Sequence, residues 1–285
     1  MNWASLWSNF GSPRVDVVTF AGLSDIGRRR RNNEDAFGAF MLHPSPLAVS
    51  SSRWSGREDP GGGLLLAVSD GMGGARAGEV ASRLALAEVA GSLARVGPAA
   101  GADPRGAARA AAVAAHREIF AQGSKDAVCG GMGATFCGIW FRAGDRTATL
   151  LNVGDSRAYR WRGRRLERLS RDQTLAQGMI DRGELTPAQA AAGRLGGILE
   201  HALGADGRPI EPETKPVDLR AGDLLLLCSD GLHGAIDDVA LAGLLPAGPA
   251  APDLPGLASR LVAAARDASG SDNITVLLAS LGSGR

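Results

Sequence analysis

Residues 64–74 of this chain read LLLAVSDGMGG, a fully apolar run that ends in an acid and a glycine-rich turn. The apolar part predicts a central strand over Leu64–Val68. Residues 224–231, LLLLCSDG, repeat the pattern and predict a second strand over Leu224–Cys228. An acid at the end of a buried strand is costly unless a positive charge neutralises it. Both stretches therefore predict a cationic ligand at the strand ends.

Four short acidic segments share this position next to an apolar run. They are residues 33–35 (NED), 69–71 (SDG), 229–231 (SDG) and 271–273 (SDN). A single Asp-Gly pair is more often a simple turn. Four of them, with residues 154–157 (GDSR) as a fifth, favour one shared target. Carboxylate oxygens suit hard divalent ions such as Mg²⁺ and Mn²⁺, so the pattern predicts a metal-dependent hydrolase.

The bulk composition indicates an ordinary globular protein. The chain has 285 residues, 45% of them hydrophobic, and a formal net charge of +1. Neither nucleic acid nor an anionic membrane is an expected partner at this charge. Three cysteines without a C-x-x-C pair fit a reducing compartment, and no signal peptide or membrane span is evident. We expect a monomer in the cytoplasm, with a flexible leader over 1–14 and one domain over 15–282.

The order of the predicted elements favours an α+β fold, because strands cluster in the middle of the chain between paired helices. The expected architecture is a four-layer α/β/β/α sandwich of two antiparallel sheets, with an exposed loop over 43–63. A segment of helical character is expected over 172–203, with breaks at Gly183, Pro187 and Gly193. Further strands are predicted at 15–23, 134–141, 147–153, 158–161 and 274–281. Further helices are predicted at 78–96, 104–122, 237–245 and 254–268.

Six segments, in order, resemble the bacterial PP2C family of metal-dependent serine/threonine protein phosphatases. The matching segments are Ser24-Asp25-Ile26-Gly27 through Arg30 to Asp35, Ser69 to Gly74, Gly133-Ala134-Thr135, Val153 to Arg157, Ser229 to Leu232, and Gly270 to Thr275. Together they span residues 24–276. The resemblance implies the same α/β/β/α sandwich.

The resemblance also implies a set of site residues. The implied direct ligands of two Mn²⁺ or Mg²⁺ ions are Asp35, Asp70, Asp230 and Asp272, with the carbonyl of Gly71 and with Glu34 acting through water. A hydroxide bridging the ions would attack phosphorus in line, without a covalent intermediate. Charge alone does not choose among Arg28, Arg29, Arg30 and Arg31; the family spacing implies that Arg30 binds the phosphate.

Several features of the site stay open at this point. Asp155 resembles a ligand of a third metal ion, but it could equally cap a turn and pair with Arg157. Met72 stands where eukaryotic relatives have a proposed general-acid histidine, and methionine cannot donate a proton. Among the four histidines only His233 lies near a matching motif, and a structural role is the more common one. Residues 170–204 resemble the mobile flap of the family.

The expected function is hydrolysis of phosphoserine and phosphothreonine in proteins, opposing a bacterial Ser/Thr kinase. Phosphorylated proteins, and with them a cognate kinase, are the expected partners. A phosphoprotein-binding relative without turnover is disfavoured, because every implied ligand is present. A nucleotide-binding loop at Gly71–Gly74 is also disfavoured, because it lacks both the Lys-Ser/Thr of a P-loop and the G-x-G-x-x-G order.

Overall fold

The computed structural model describes most of the chain. Its described residues are 15–42, 46–48, 53–56, 59, 62–73, 77–96, 103–126, 128–142, 145, 147–193, 195–247 and 252–283. The predicted leader, residues 1–14, lies outside them, as does much of the predicted loop over 43–63. None of the helices within these ranges is both long and apolar enough to cross a membrane.

Two six-stranded sheets form the centre of the fold, and every strand pairing is antiparallel. The strands are β1 Val17–Asp25, β2 Ala36–Met41, β3 Leu47–Ala48, β4 Arg53–Ser55, β5 Leu64–Ser69, β6 Gly71–Met72, β7 Gly133–Ala134, β8 Phe136–Phe141, β9 Ala148–Val153, β10 Arg157–Arg162, β11 Arg165–Arg168, β12 Glu213–Val217, β13 Leu224–Cys228 and β14 Ile274–Gly282. One sheet has the order β11-β10-β13-β14-β1-β4, and the other has the order β12-β9-β8-β5-β2-β3. Strands β6 and β7 form a separate two-residue ribbon.

The helices are α1 Ala77–Val96, α2 Pro104–Lys125, α3 Leu175–Asp181, α4 Pro187–Ala192, α5 Asp230–His233, α6 Asp238–Leu244 and α7 Leu254–Ala268. Five of them cover the outer faces of the two sheets, whereas α3 and α4 lie in the segment over 172–203. Helices α1 and α2 pack on the sheet that contains β5. Helices α5, α6 and α7 pack on the sheet that contains β13. The predicted four-layer sandwich is therefore confirmed.

Burial on both faces explains why the two decisive strands are apolar throughout. In β5, Leu65 and Ala67 pack against α1 and α2, whereas Leu64, Leu66 and Val68 pack between the sheets. In β13, Leu225 and Leu227 face the space between the sheets and the alternate residues face the helices. Side chains of a strand alternate between its two faces, so a strand covered on both sides has no position left for a polar side chain.

The predicted loop over 43–63 is wrong in part, because two short strands, β3 and β4, lie within it. Strand β4 pairs with the start of β1 and inserts Trp54 into the layer between the sheets. Strands of two and three residues, with one buried aromatic side chain, are too short to be recognised from the sequence. Strand β1 itself is shifted by two residues from its predicted bounds.

In the predicted helical segment over 172–203, the expected breaks are observed: α3 ends before Gly183, and α4 begins at Pro187 and ends before Gly193. The prediction is wrong beyond Gly193. Residues 195–203 form irregular backbone that returns to the sheets. Strand β12, which sequence reasoning missed, is the edge strand of its sheet and contains Pro216. Proline at this position is tolerated because an edge strand leaves one side of its backbone unpaired.

We predict that Phe136→Ala lowers the free energy of unfolding by about 3–5 kcal/mol, because the ring is fully buried and a cavity would remain. Phe120→Ala is the matched control, since Phe120 on α2 is 42% exposed and should lose less than half as much. Guanidinium denaturation of the two variants measures the difference. Equal losses would show that the packing of Phe136 contributes nothing beyond that of a surface aromatic.

Candidate metal centre

The predicted acidic residues lie at one edge of the sandwich because of the antiparallel pairing. Asp70 follows the end of β5, and Asp35 precedes the start of β2, which pairs with β5 through Ala36 and Ser69. Asp230 follows the end of β13, and Asp272 precedes β14, the neighbour of β13. In an antiparallel pair, the end of one strand lies beside the start of the other. Each pair therefore brings two acids together.

Side-chain hydrogen bonds join the two sheets at this edge. The hydroxyl of Ser229, after β13, donates to Oδ2 of Asp35 at 2.7 Å. The amide oxygen of Asn273 accepts the backbone N–H of Glu34 at 2.8 Å. The amide nitrogen of Asn273 donates to the carbonyls of Ile26 and Asn32. Loops from both sheets are thus fixed to one another before any ion is considered.

Thr135 fixes the backbone of Asp70 and links it to the turn that contains Ser156. Its hydroxyl accepts the backbone N–H of Asp70 at 2.9 Å and lies 2.7 Å from the hydroxyl of Ser156. Its backbone N–H donates to the carbonyl of Asp70 at 2.8 Å. Thr135, Ser229 and Asn273 belong to the matching segments, but sequence reasoning gave none of them a role. The sequence signal that could have identified Ser229 and Asn273 is their position directly next to Asp230 and Asp272.

The glycines that follow Asp70 and Asp230 serve close approach rather than the sharp turn expected from Asp-Gly pairs. Neither Gly71 nor Gly231 has a positive φ. A Cβ on Gly71 would overlap with the carbonyl of Gly78, and one on Gly231 would overlap with the carbonyl of Asn273. Only glycine lets these backbones lie so near one another.

A cleft of about 860 Å³ opens over this edge, a volume within the range of small-ligand sites. One wall carries five acids: Glu34, Asp70, Asp155, Asp230 and Asp272. The facing wall is formed by the irregular segment 197–210, which contains the end of the predicted flap. Asp35 does not line this cleft but lies buried beside it, within the framework held by Ser229. Its role as a direct ligand stays a prediction.

Burial raises the pKa of most of these acids, and their mutual repulsion adds to the effect. The pKa of Asp35 and that of Asp155 each rise to about 7. The pKa of Asp70 is well above its usual range, and those of Glu34 and Asp230 are also raised. Acids in this state bind protons unless positive charge is supplied. The arrangement therefore favours the binding of cations.

Two further observations test whether a metal would fit. Oδ1 of Asp35 and Oδ1 of Asp230 are buried and have no hydrogen-bond partner among the described residues. A buried carboxylate oxygen without a partner is costly, and a metal ion would remove that cost. The available donors are all oxygen atoms, which suits Mg²⁺ or Mn²⁺. The residues fit such ions.

The side chains do not yet stand in coordination geometry. Within the described ranges, no three Asp, Glu, His or Cys side chains are placed so that they could hold an ion as they are. Asp272 is turned to Arg30, whose Nη2 lies 2.6 Å from Oδ2, and Asp35 is turned to Ser229. Metal binding would therefore require local side-chain rotation, most clearly at Asp272.

The four consecutive arginines differ sharply in their surroundings. Arg28 pairs with Asp267 away from the cleft, at 2.5 Å. Arg29 is exposed and does not line the cleft. Arg30 and Arg31 both line it, and Arg30 is the one that contacts an acid of the site. Arg30, which the family spacing implies as the phosphate-binding residue, thus lies in the cleft, and its role stays a prediction.

The alternative role for Asp155 is to cap a turn and to form an ion pair with Arg157. The structure, which describes both residues, does not show this ion pair. Arg157 instead binds Asp172, with its Nε at 3.0 and 3.2 Å and its Nη2 at 2.6 Å from the carboxylate oxygens. Asp155 is buried and faces the cleft with the other acids. Hydrogen bonds from the Gly154 N–H to Gln173 and from Gln173 to the Glu211 carbonyl add a second link between this turn and the base of the flap.

Of the histidines in the described residues, His201 lines the cleft and His233 does not. Nε2 of His233 lies 3.0 Å from the carbonyl of Asp155, and burial lowers the pKa of the ring to about 3. A neutral, bonded imidazole has a structural role, so the hypothesis of a catalytic His233 is not supported. His116 is buried as well, and its Nδ1 accepts the N–H of Gly204. Sequence reasoning missed His201, which lies in no matching motif.

Comparison with known proteins adds independent evidence. A family model described as protein phosphatase 2C matches residues 53–247. The serine/threonine protein phosphatase PstP of Mycobacterium tuberculosis is 35% identical over 263 residues, covering 92% of this chain. This chain spans only 45% of the length of that protein. The protein phosphatase PhpP of Streptococcus pneumoniae is 30% identical over 273 residues, covering 91% of this chain and 96% of that protein.

Solved structures agree with these sequence matches. The catalytic domain of the serine/threonine protein phosphatase PstP, in complex with two manganese ions, superposes with a TM-score of 0.70 at 31% identity. The match covers 93% of this chain and 99% of that domain. The similarity thus extends over both sheets and the acidic edge, and not only over the quoted motifs.

We predict that Gly231→Ala lowers the free energy of unfolding by about 1–3 kcal/mol and weakens Mn²⁺ binding, because the new methyl group would separate Asp230 from the Asn273 loop. Thermal denaturation and titration calorimetry with MnCl₂ measure the two effects. Gly243→Ala is the control: it lies exposed in α6 with open space around it and should stabilise by up to about 1 kcal/mol. Unchanged Mn²⁺ affinity in Gly231→Ala would contradict the prediction.

We predict that Arg157→Met costs about 3 kcal/mol of stability, because it leaves the largely buried carboxylate of Asp172 without its main partner. Arg208→Met is the control, since the pair of Arg208 with Asp206 is exposed and worth at most about 1 kcal/mol. Urea denaturation gives both values. A loss in Arg157→Met no greater than that in the control would mean that this pair does not hold the base of the flap.

Proposed function

Because the chain belongs to the protein phosphatase 2C family, we propose that it is a metal-dependent phosphatase that hydrolyses phosphoserine and phosphothreonine in proteins. The observation that carries the proposal is the convergence of five acids on one open cleft, at strand ends from both sheets. Such a site can neutralise and position a phosphate once cations are bound. The manganese-bound domain of PstP supports Mn²⁺, or the chemically similar Mg²⁺, as the cofactor.

In this proposal the chain holds two ions with carboxylate oxygens. Asp70, Asp230 and Asp272, together with the buried Asp35 and the carbonyl of Gly71, would be direct ligands, and Glu34 would act through water. Asp155 lies in the same cleft and is the proposed ligand of a third ion. When bound, the ions would supply positive charge for the phosphate and a water molecule of lowered pKa. Thr135, Ser229 and Asn273 would hold the ligand-bearing loops in register.

Arg30 is the proposed phosphate-binding residue. Its guanidinium now pairs with Asp272, and its side chain is 48% exposed at the cleft. A guanidinium can bind two phosphate oxygens at once, which orients the phosphorus as well as attracting it. Recruitment of Asp272 to a metal ion would free Arg30 for the substrate. Metal binding at Asp272 and phosphate binding at Arg30 would therefore be coupled through this ion pair.

The leaving alkoxide must also receive a proton, and Met72 cannot supply it. Met72 lines the cleft directly beyond Gly71. Water is available at this position because the cleft is open, and His201 stands on the facing wall. We therefore propose that water, or a residue such as His201, supplies this proton in place of a histidine next to the Asp-Gly pair.

The biological setting is a further part of the proposal. We propose that the protein acts as a monomer in the cytoplasm and reverses the action of a Ser/Thr kinase. The three cysteines are free thiols, which supports a reducing compartment. Deletion of the gene should raise phosphothreonine on specific proteins, measured by phosphoproteomics. Unchanged phosphorylation in that strain would contradict the role opposite a kinase, and size-exclusion chromatography with light scattering tests the monomer.

We predict that the protein releases phosphate from a phosphothreonine peptide in the presence of Mn²⁺ and that Asp230→Asn reduces kcat/KM at least about a hundredfold. EDTA should abolish the activity, and added MnCl₂ should restore it. Asp267→Asn is the matched control, because Asp267 is an exposed acid paired with Arg28 outside the cleft. The rate of phosphate release is measured for all three proteins.

Two results would contradict the phosphatase proposal in different ways. Metal binding without any phosphate release would favour a phosphoprotein-binding role instead. Equal activity in Asp230→Asn and Asp267→Asn would mean that the acidic edge is not the catalytic site.

A further inference from the structure

Arg31 is a charged residue of the cleft without an assigned role. It lines the cleft on the same wall as Arg30, and it is exposed. No described residue forms a hydrogen bond or ion pair with it. Arg30 pairs with Asp272 and Arg208, on the facing wall, pairs with Asp206. Arg31 is thus a cation at the rim of the cleft that has no ion-pair partner within the described part of the chain.

Its sequence neighbours show that this position is not simply part of a solvated basic run. Arg28 is committed to Asp267, and Arg29, although exposed, lies outside the cleft. Of the four, only Arg30 and Arg31 line the cleft in which the phosphate is proposed to bind. Because Arg31 follows Arg30 directly in the chain and lines the same cleft, residues beside a phosphate held by Arg30 come within reach of Arg31.

We propose that Arg31 forms a second anion subsite, which selects phosphoproteins that carry an anionic group within about three residues of the hydrolysed phosphate. This proposal rests on the proposed function, because it assigns the phosphate itself to Arg30 and the metal ions. A carboxylate of Asp or Glu and a second phosphate share the chemistry that a guanidinium recognises. The acids of the site would repel such an anionic group. A cation at the rim would offset this repulsion and allow the group to bind beside them.

The experiment compares phosphothreonine peptides that differ only next to the phosphorylated residue. One carries Gln there, one carries Glu, and one carries a phosphonate that cannot be hydrolysed. The measured quantity is the ratio of kcat/KM for each anionic peptide to that for the Gln peptide, at low and high salt. The ratio should exceed one in the wild-type protein and fall towards one at high salt, because exposed charges are screened.

The variants Arg31→Gln and Arg29→Gln separate the subsite from general surface charge. Both lose one positive charge from the same run, but only Arg31 lines the cleft. We expect the ratio to fall about threefold in Arg31→Gln, as for the loss of one exposed charge pair. We expect Arg29→Gln to keep the wild-type ratio. A decrease for the phosphonate peptide alone would assign the subsite to a second phosphate rather than to acidic side chains.

Three outcomes would overturn the subsite: no preference for anionic peptides in the wild-type protein, an unchanged ratio in Arg31→Gln, or an equal decrease in both variants. Failure of the phosphatase proposal is distinguishable, because the wild-type protein would then hydrolyse none of the peptides. Fluorescence anisotropy of the same labelled peptides would still test Arg31 in that case. Weaker binding of the anionic peptides to Arg31→Gln than to Arg29→Gln supports the subsite, and equal binding overturns it.

Discussion

The repulsion between buried carboxylates is the constraint on which the rest of this structure depends. Two antiparallel sheets end at one edge, and their loops place a cluster of acids there, of which Asp35 and Asp155 are buried and the others half-buried. Burial and mutual repulsion raise the pKa values of these acids, so the edge favours protons or cations. The loops that carry these carboxylates must be held firmly, because the carboxylates repel one another. Bound cations would remove that repulsion, so the function of the site is expected to involve them.

The framework is built from short polar side chains and from glycine. Ser229, Asn273 and Thr135 tie loops of different strands to one another with hydrogen bonds of 2.7–2.9 Å. Gly71 and Gly231 allow backbones to approach within distances that no Cβ would permit. These contacts position the loops, whereas coordination of an ion would still require rotation of side chains such as Asp272, which pairs with Arg30. The loops are therefore well placed although the carboxylates do not stand in coordination geometry.

The cleft carries both negative and positive charge. Five acids on one wall favour the binding of metal ions, whereas Arg30 and Arg31 place positive charge at the rim of the same wall. A phosphate bound between them would be oriented by opposite features of the same wall. The facing wall, 197–210, is irregular, although the sequence predicted helical character as far as residue 203. This irregular backbone is anchored near its middle, where Leu203 pairs with Ala134.

The sequence by itself determined the two-faced burial of β5 and β13, the acids at their ends and, through ordered motifs, the family resemblance. Those features are local: an apolar run and the residue that follows it are adjacent in the chain. The pairing of Arg157 with Asp172, the position of His201 in the cleft and the difference between Arg29 and Arg31 were decided only by tertiary structure. Each of these depends on which distant segment packs against a given side chain. The local sequence pattern of a strand or loop does not specify which segment that is. The short strands β3, β4 and β12 were missed for the same reason, since pairing with a neighbouring strand, and not their own composition, makes them extended.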